Sequence, residues 1–241
     1  MMEKRNYAPT AAKVAAAGLG LGVVSYAAYA AATWASYGRR KRRTREGESL
    51  LDAFMPDPEV AIRHARRVNA PADVTFDVAC RSDIGASPIV KALFKTRELI
   101  VGRPPETIVP TGTLVEQLRA FGWVILAEVP GREIVFGAVT QPWRADATFR
   151  SVAPDDFASF NEAGYVKIAW TLRTDPAGPL ACTVRSDTRV ATTDDASRRT
   201  FRRYWAAFLP GIKLIRVVML QHIKWAAEQE AADAALDLSG D

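Results

Sequence analysis

Cysteine is scarce: Cys80 and Cys182 are the only two in 241 residues. Two thiols so far apart make no disulfide framework and fit no metal-ligand spacing. They read as small, partly buried side chains. Catalytic signatures are missing as well. The chain has no G-x-S-x-G, no H-E-x-x-H and no P-loop, so nothing supports nucleotide or metal binding. "GLGLGV" at 18–23 fails the dinucleotide fingerprint, because Val23 stands where the last glycine belongs. It also lies in an apolar run rather than after a strand. No cofactor is implied, and no motif marks a catalytic residue.

Positive charge is missing from most of the chain, although the sequence pI is 9.4. Nine of the 32 Lys/Arg and one of the 27 Asp/Glu fall within residues 1–45, a net of +8. The remainder holds 23 basic and 26 acidic residues, a net of −3. A nucleic-acid-binding domain carries its positive charge on its own face, so nucleic acid is not expected as a partner.

What the leader does have is a 25-residue stretch without charge, Val14 to Gly38. As a helix it is about 37 Å long, enough to cross a hydrocarbon core of about 30 Å. Tyr26, Tyr29, Trp34 and Tyr37 cluster toward its basic end, as interfacial aromatics do. Three basic residues precede the run and six follow it. The positive-inside rule then makes it a single-pass anchor with the main domain cytoplasmic. Two other readings stay open. Ala28-Tyr29-Ala30 resembles a signal-peptidase site, and the Ala-rich run also suits a soluble helix. Gly18 and Gly22 form a GxxxG spacing, which allows a weak homodimer. The expected layout is a tail at 1–13, a transmembrane helix at 14–38, a basic linker at 39–54, a domain at 55–230 and a disordered tail at 231–241.

Residues 59–70 alternate, with Val60, Ile62, His64, Arg66 and Val68 on one side of a strand. Helices are expected over 71–83, from Pro71, and over 87–99, with Ser87 as N-cap and Pro88 at the first helical position. Thr113 and Glu116 form a capping box for a short helix ending near Gly122. Strands follow: a hairpin over 122–140 turning at Pro130-Gly131, then 146–152, 164–174 and 179–193. A two-residue turn would set Glu128 opposite Glu133, a costly pairing of like charges. A long helix opens at Thr193-Asp194-Asp195, with an apolar stripe from Phe201 to Ala226 and an expected kink or break at Pro210-Gly211.

This order, with "VNAPADVTFDVA" at 68–79, resembles the START-like or SRPBCC helix-grip superfamily. "GWVILAEVPGREIVFGAVTQPW", "GYVKIAWTLR" and "FRRYWAAFLPGIKLIR" are similar to a bacterial group within it. The resemblance implies an α+β fold, a curved antiparallel sheet wrapped around a long C-terminal helix, here with an N-terminal transmembrane helix. It also implies a cavity between sheet and helix that takes an apolar small molecule or lipid. Alternatives are a cyclase- or dehydratase-like enzyme and a non-catalytic adaptor with a filled core.

Candidate cavity residues are His64, Arg66, Ile125, Phe136, Trp170, Trp205, Phe208, Met219 and His222. His64 is a candidate acid/base, and Arg66 on the same face suits a carboxylate or phosphate. Both histidines also suit a hydrogen-bonded core role. Arg185, Asp187 and Arg189 alternate like a solvated charge ladder. Arg198, Arg199, Arg202 and Arg203 form a basic face that suits anionic lipid or plain solvation.

Overall fold

A computed structural model describes residues 24–38, 49–83, 85–102 and 111–239. The first described element is helix α1, over 24–36. Then come α2 (Leu51–Phe54), β1 (Val60–Val68), α3 (Ala72–Arg81), α4 (Pro88–Val101) and α5 (Leu114–Ala120). β2 (Val124–Val129), β3 (Glu133–Thr140), β4 (Phe149–Arg150), α6 (Pro154–Phe157), β5 (Val166–Pro176), β6 (Cys182–Thr192) and α7 (Asp195–Ser239) complete the chain. The architecture is α+β. A six-stranded antiparallel sheet in the order β1-β6-β5-β3-β2, with β4 on β3, curves around the long α7.

Local signals set most of these elements. Pro88 opens α4, and Gly102 in the left-handed conformation closes it, the usual division of labour between the two residues. The Thr113–Glu116 capping box forms, each side chain bonding the other residue's backbone N–H. Asp194 caps α7 by accepting from the Ser197 N–H at 2.8 Å. Its carboxyl is held far below the ordinary carboxylate range by hydrogen bonds from the Ser197 and Gly164 backbone and the Ser197 hydroxyl.

The hairpin departs from the expected pairing. Its loop takes in Pro130, Gly131 and Arg132, so Val129 faces Glu133 and Glu128 faces Ile134. The two glutamates are therefore not opposed. A bulge lies between Ile125 and Ala127, and such an extra residue reverses which way the following side chains point. Ile125 stays on the side of Phe136, whereas Leu126 joins the opposite core.

That opposite core answers the two-sided apolar character of the hairpin. Leu51, Met55 and Phe157 cover Leu126, Val135, Val139 and Ala169 on the convex face. Leu51 and Met55 of this layer lie in or next to the stretch 39–54 expected to be a linker. The Arg185–Asp187–Arg189 ladder is partly covered by the same layer. Arg189, only 4% exposed, donates to Asp52 and to the Met55 carbonyl at 2.7 Å each. Asp187 pairs with Arg63 at 3.1 Å.

Helix α7 runs through Pro210, where a kink or break was expected, without interruption and continues to Ser239, into the expected tail. A mid-helix proline costs about 3 kcal/mol, and tertiary packing outweighs it. Trp205 and Leu209 are buried immediately before it, and Leu93 approaches Gly211. The strand expected over 146–152 is reduced to two residues.

Residues 24–38, the described part of the run expected to cross a membrane, make contacts with α7. Tyr29 and Tyr37 pack on the cluster around Phe201 and Trp205. Tyr37 donates to Glu59 at 2.7 Å, and Arg202 donates to the Trp34 carbonyl at 2.9 Å while lying over the Trp34 ring. Tyr26 donates to the Ala207 carbonyl, in the turn where Pro210 has no N–H to offer. Residues 24–38 therefore lie along α7. Among the described residues, the helix long and apolar enough to cross a membrane is α7. It is the core helix of the domain, with Met219, Leu220 and Ile223 buried. Residues 1–23, including Gly18 and Gly22, the basic residues 39–45 and the loop 103–110 lie outside the described residues.

Candidate functional site

The strand register sorts the concave face into rows running across the sheet. One row joins Ile62, Thr188, Trp170, Phe136 and Ile125, and the next joins His64, Ser186, Leu172 and Ile134. Beyond them, Arg66 pairs with Val184, and Val68 with Cys182. The β2–β3 end of the first row is apolar, while the second ends on Glu128, which pairs with Ile134. The β1–β6 end carries His64, Ser186 and Thr188.

Helix α7 covers this face with two separate apolar patches. Phe201, Trp205 and Leu209 close on Ile62, Val166 and Val190. Met219, Leu220, Ile223 and Ala227 close on Phe136, Trp170, Leu172 and Val184. Between Leu209 and Met219 no α7 residue is buried; Ile212, Ile215, Arg216 and Val218 are half-buried. The apolar stripe that the sequence promised is broken opposite the polar rows.

Arg216 fills part of that break. Its guanidinium carbon lies 4.0 Å from the centre of the Trp170 ring, a close cation–π stack. The Trp170 indole N–H donates to Ser186 Oγ at 2.7 Å, so indole and hydroxyl are fixed together beneath the cation. Phe136 stacks on Trp170 at 5.4 Å between centroids and holds the ring from the other side of the row. Arg216 Nη1 reaches only the Met219 sulfur, at 3.9 Å, a weak acceptor. Its Nε–H is buried without an acceptor. Burial lowers the Arg216 pKa to about 10, and no carboxylate forms an ion pair with it among the described residues.

His64 has the matching defect on the sheet side: its Nδ1 is buried without a hydrogen-bond partner. Desolvation lowers its pKa, and the nearby Arg216 and Lys213 charges lower it further. The imidazole is therefore neutral at pH 7.

The nine candidates separate accordingly. Phe136, Trp170 and Met219 meet in one buried cluster, with Ile125 packed against it. Trp205 belongs to the other cluster. Phe208 is half-buried outside both and stacks on Tyr204 at 4.6 Å. His222 is exposed, and Arg66 is exposed at the edge strand, so neither meets the others. Arg216, Ser186 and Thr188 were missed. The signal for Arg216 is a single charge inside "LIRVVML", spaced three and four residues from Met219 and Ile212. Ser186 and Thr188 are the alternate positions of the strand whose charged face drew attention first.

No family model matches the chain, and no curated protein matches it. Among solved structures it is similar to norcoclaurine synthase from Thalictrum flavum in complex with dopamine and hydroxybenzaldehyde. Identity there is 15% over 76% of this chain and 98% of the other, with a TM-score of 0.27. It is also similar to the Zhui aromatase/cyclase from Streptomyces sp. R1128, at 12% identity over 65% and 93%, with a TM-score of 0.20. The helix-grip description rests on the sheet order and the position of α7, not on these scores.

Proposed function

We propose that this chain is a binding domain that takes an apolar small molecule or lipid between the sheet and α7, and that it works at a membrane surface. The observation behind the first part is the break in the α7 stripe. Helix α7 is sealed against the sheet at both ends and only half-buried between Leu209 and Met219. A filled-core adaptor would gain stability from large apolar side chains there, since burial of apolar area is the main stabilising term. The chain places Arg216 there instead. The membrane part rests on the uncharged run and the +8 leader. With α1 docked, the segment before it suits the interface better than a full crossing. The cytoplasmic face of a bacterial inner membrane is the compartment that the positive-inside rule favours.

Proton-transfer chemistry finds less support. His64 feels two cations and no facing carboxylate, so nothing raises its basicity toward a general base.

Titration of the full chain with an uncharged apolar fluorophore tests the binding reading. Saturable binding of one probe per chain is expected, with release by a competing lipid. A linear, non-saturating signal would leave the adaptor reading in its place. For the membrane part, the full chain should co-sediment with anionic vesicles and a chain starting at residue 24 should not. Equal sedimentation of the two refutes it.

A further inference from the structure

We infer that the molecule held in the grip carries an anionic group of the carboxylate class, and that Arg216 is the residue that binds it, with His64 as a second donor; this rests on the ligand-binding reading above. The argument begins with what Arg216 lacks. A guanidinium has five N–H donors in one plane and no acceptor. Stacking on Trp170 stabilises the cation through the ring face, but the donors point outward in the plane, where Nη1 has only the weakly accepting Met219 sulfur at 3.9 Å. One of them, the Nε–H, is buried and unpaired.

A buried charge is ordinarily paired and hydrogen-bonded, because leaving it unpaired is costly. Two more deeply buried arginines have ion pairs: Arg189 reaches Asp52 at 2.7 Å, although its Nε–H also lacks a hydrogen bond, and Arg173 reaches Asp175 at 2.9 Å. Half-buried Arg216 differs from both in having no ion pair among the described residues, and desolvation alone accounts for its shift.

The vacancy has a definite chemistry. Nε and one Nη form the side-on pair that a carboxylate engages with two parallel hydrogen bonds. His64, neutral and with Nδ1 unpartnered, supplies one further N–H when Nδ1 carries the proton. The apolar part of the guest lies along the half-buried stretch of α7 beside Arg216, where Ile212, Ile215 and Val218 are only partly covered.

The test uses a fluorescent fatty acid, such as cis-parinaric acid, and its methyl ester, titrated into the full chain at pH 7. The acid should bind at least about tenfold tighter than the ester, the discrimination expected of a charge-assisted hydrogen-bonded pair. In Arg216→Met the ratio should fall to near one, and in Arg119→Gln, an exposed control on α5, the ratio should persist. An unchanged ratio in Arg216→Met, or a ratio near one in the wild type, overturns the inference and leaves apolar binding intact. Absence of saturable binding for both probes removes the binding reading itself. Should Arg216→Met lose ester binding through misfolding, Arg216→Lys decides. It keeps the charge but loses the fork, so a reduced ratio supports the inference and an unchanged one overturns it.

Discussion

Trp170→Phe offers the sharpest view of how the centre of the grip is held. Trp170 and Ser186 are each 1% exposed, and the indole N–H to Oγ distance is 2.7 Å. Phenylalanine keeps the stack on Phe136 but leaves the Ser186 oxygen buried without its donor, which costs about 1–3 kcal/mol. The smaller ring also weakens the contact with Arg216 and leaves space, bringing the loss to about 2–4 kcal/mol. Ser186→Ala alone orphans the indole N–H and costs about 1–3 kcal/mol by the same reasoning. The double variant orphans neither group. Its loss should fall short of the sum of the singles by about 1–2 kcal/mol, a coupling typical of residues in direct contact. Urea unfolding of all four proteins, with the m-values checked for constancy, measures this. Additivity within error would mean that the hydrogen bond contributes nothing. Ser186 would then not be tied to the ring beneath Arg216.

Met219→Ala should cost about 2–5 kcal/mol in the same assay, because Met219 is 1% exposed inside the Trp170 cluster; a loss below 1 kcal/mol would place it beside open space. Gly137→Ala should destabilise by about 1–3 kcal/mol, since a Cβ there would meet Leu126 Cδ1 at 2.6 Å and Phe157 Cε2 at 2.8 Å; a neutral result would show that the convex layer yields. For Asp194 the folded carboxyl lies below its unfolded value near 3.9. Its contribution is therefore full above about pH 4 and is lost as pH falls toward the folded value. The gap in melting temperature between wild type and Asp194→Ala should close over that acidic range, and a gap independent of pH refutes the assignment. Thermal melts of chains starting at residues 24 and 46 should differ, with the shorter one less stable. It loses the Tyr29 and Tyr37 cover over Phe201 and Trp205, and identical melts would show that α1 adds nothing.

The elements themselves were legible in the sequence because their signals are local. Strand alternation over 59–70, the prolines at 71 and 88, the Thr113–Glu116 box and the acidic start of α7 each act within a few residues. Strand order and the concave rows needed the family resemblance as well, since pairing partners lie far apart in the chain. Three things were decided only in the folded molecule. The bulge at Leu126 changed the side of only the last residues of β2, so that Ala127 pairs with Val135 and Glu128 with Ile134, while Ile125, Ile134 and Phe136 share the face read from the sequence. Helix α1 settled against α7, because Trp34, Tyr37 and Arg202, more than a hundred positions apart in part, close contacts that composition cannot reveal. Arg216 became the candidate site. On its own helix it is one charge in an apolar stretch; its meaning depends on which strand row it faces and on its having no ion pair among the described residues. That is a property of long-range register and burial, and no window of sequence contains it.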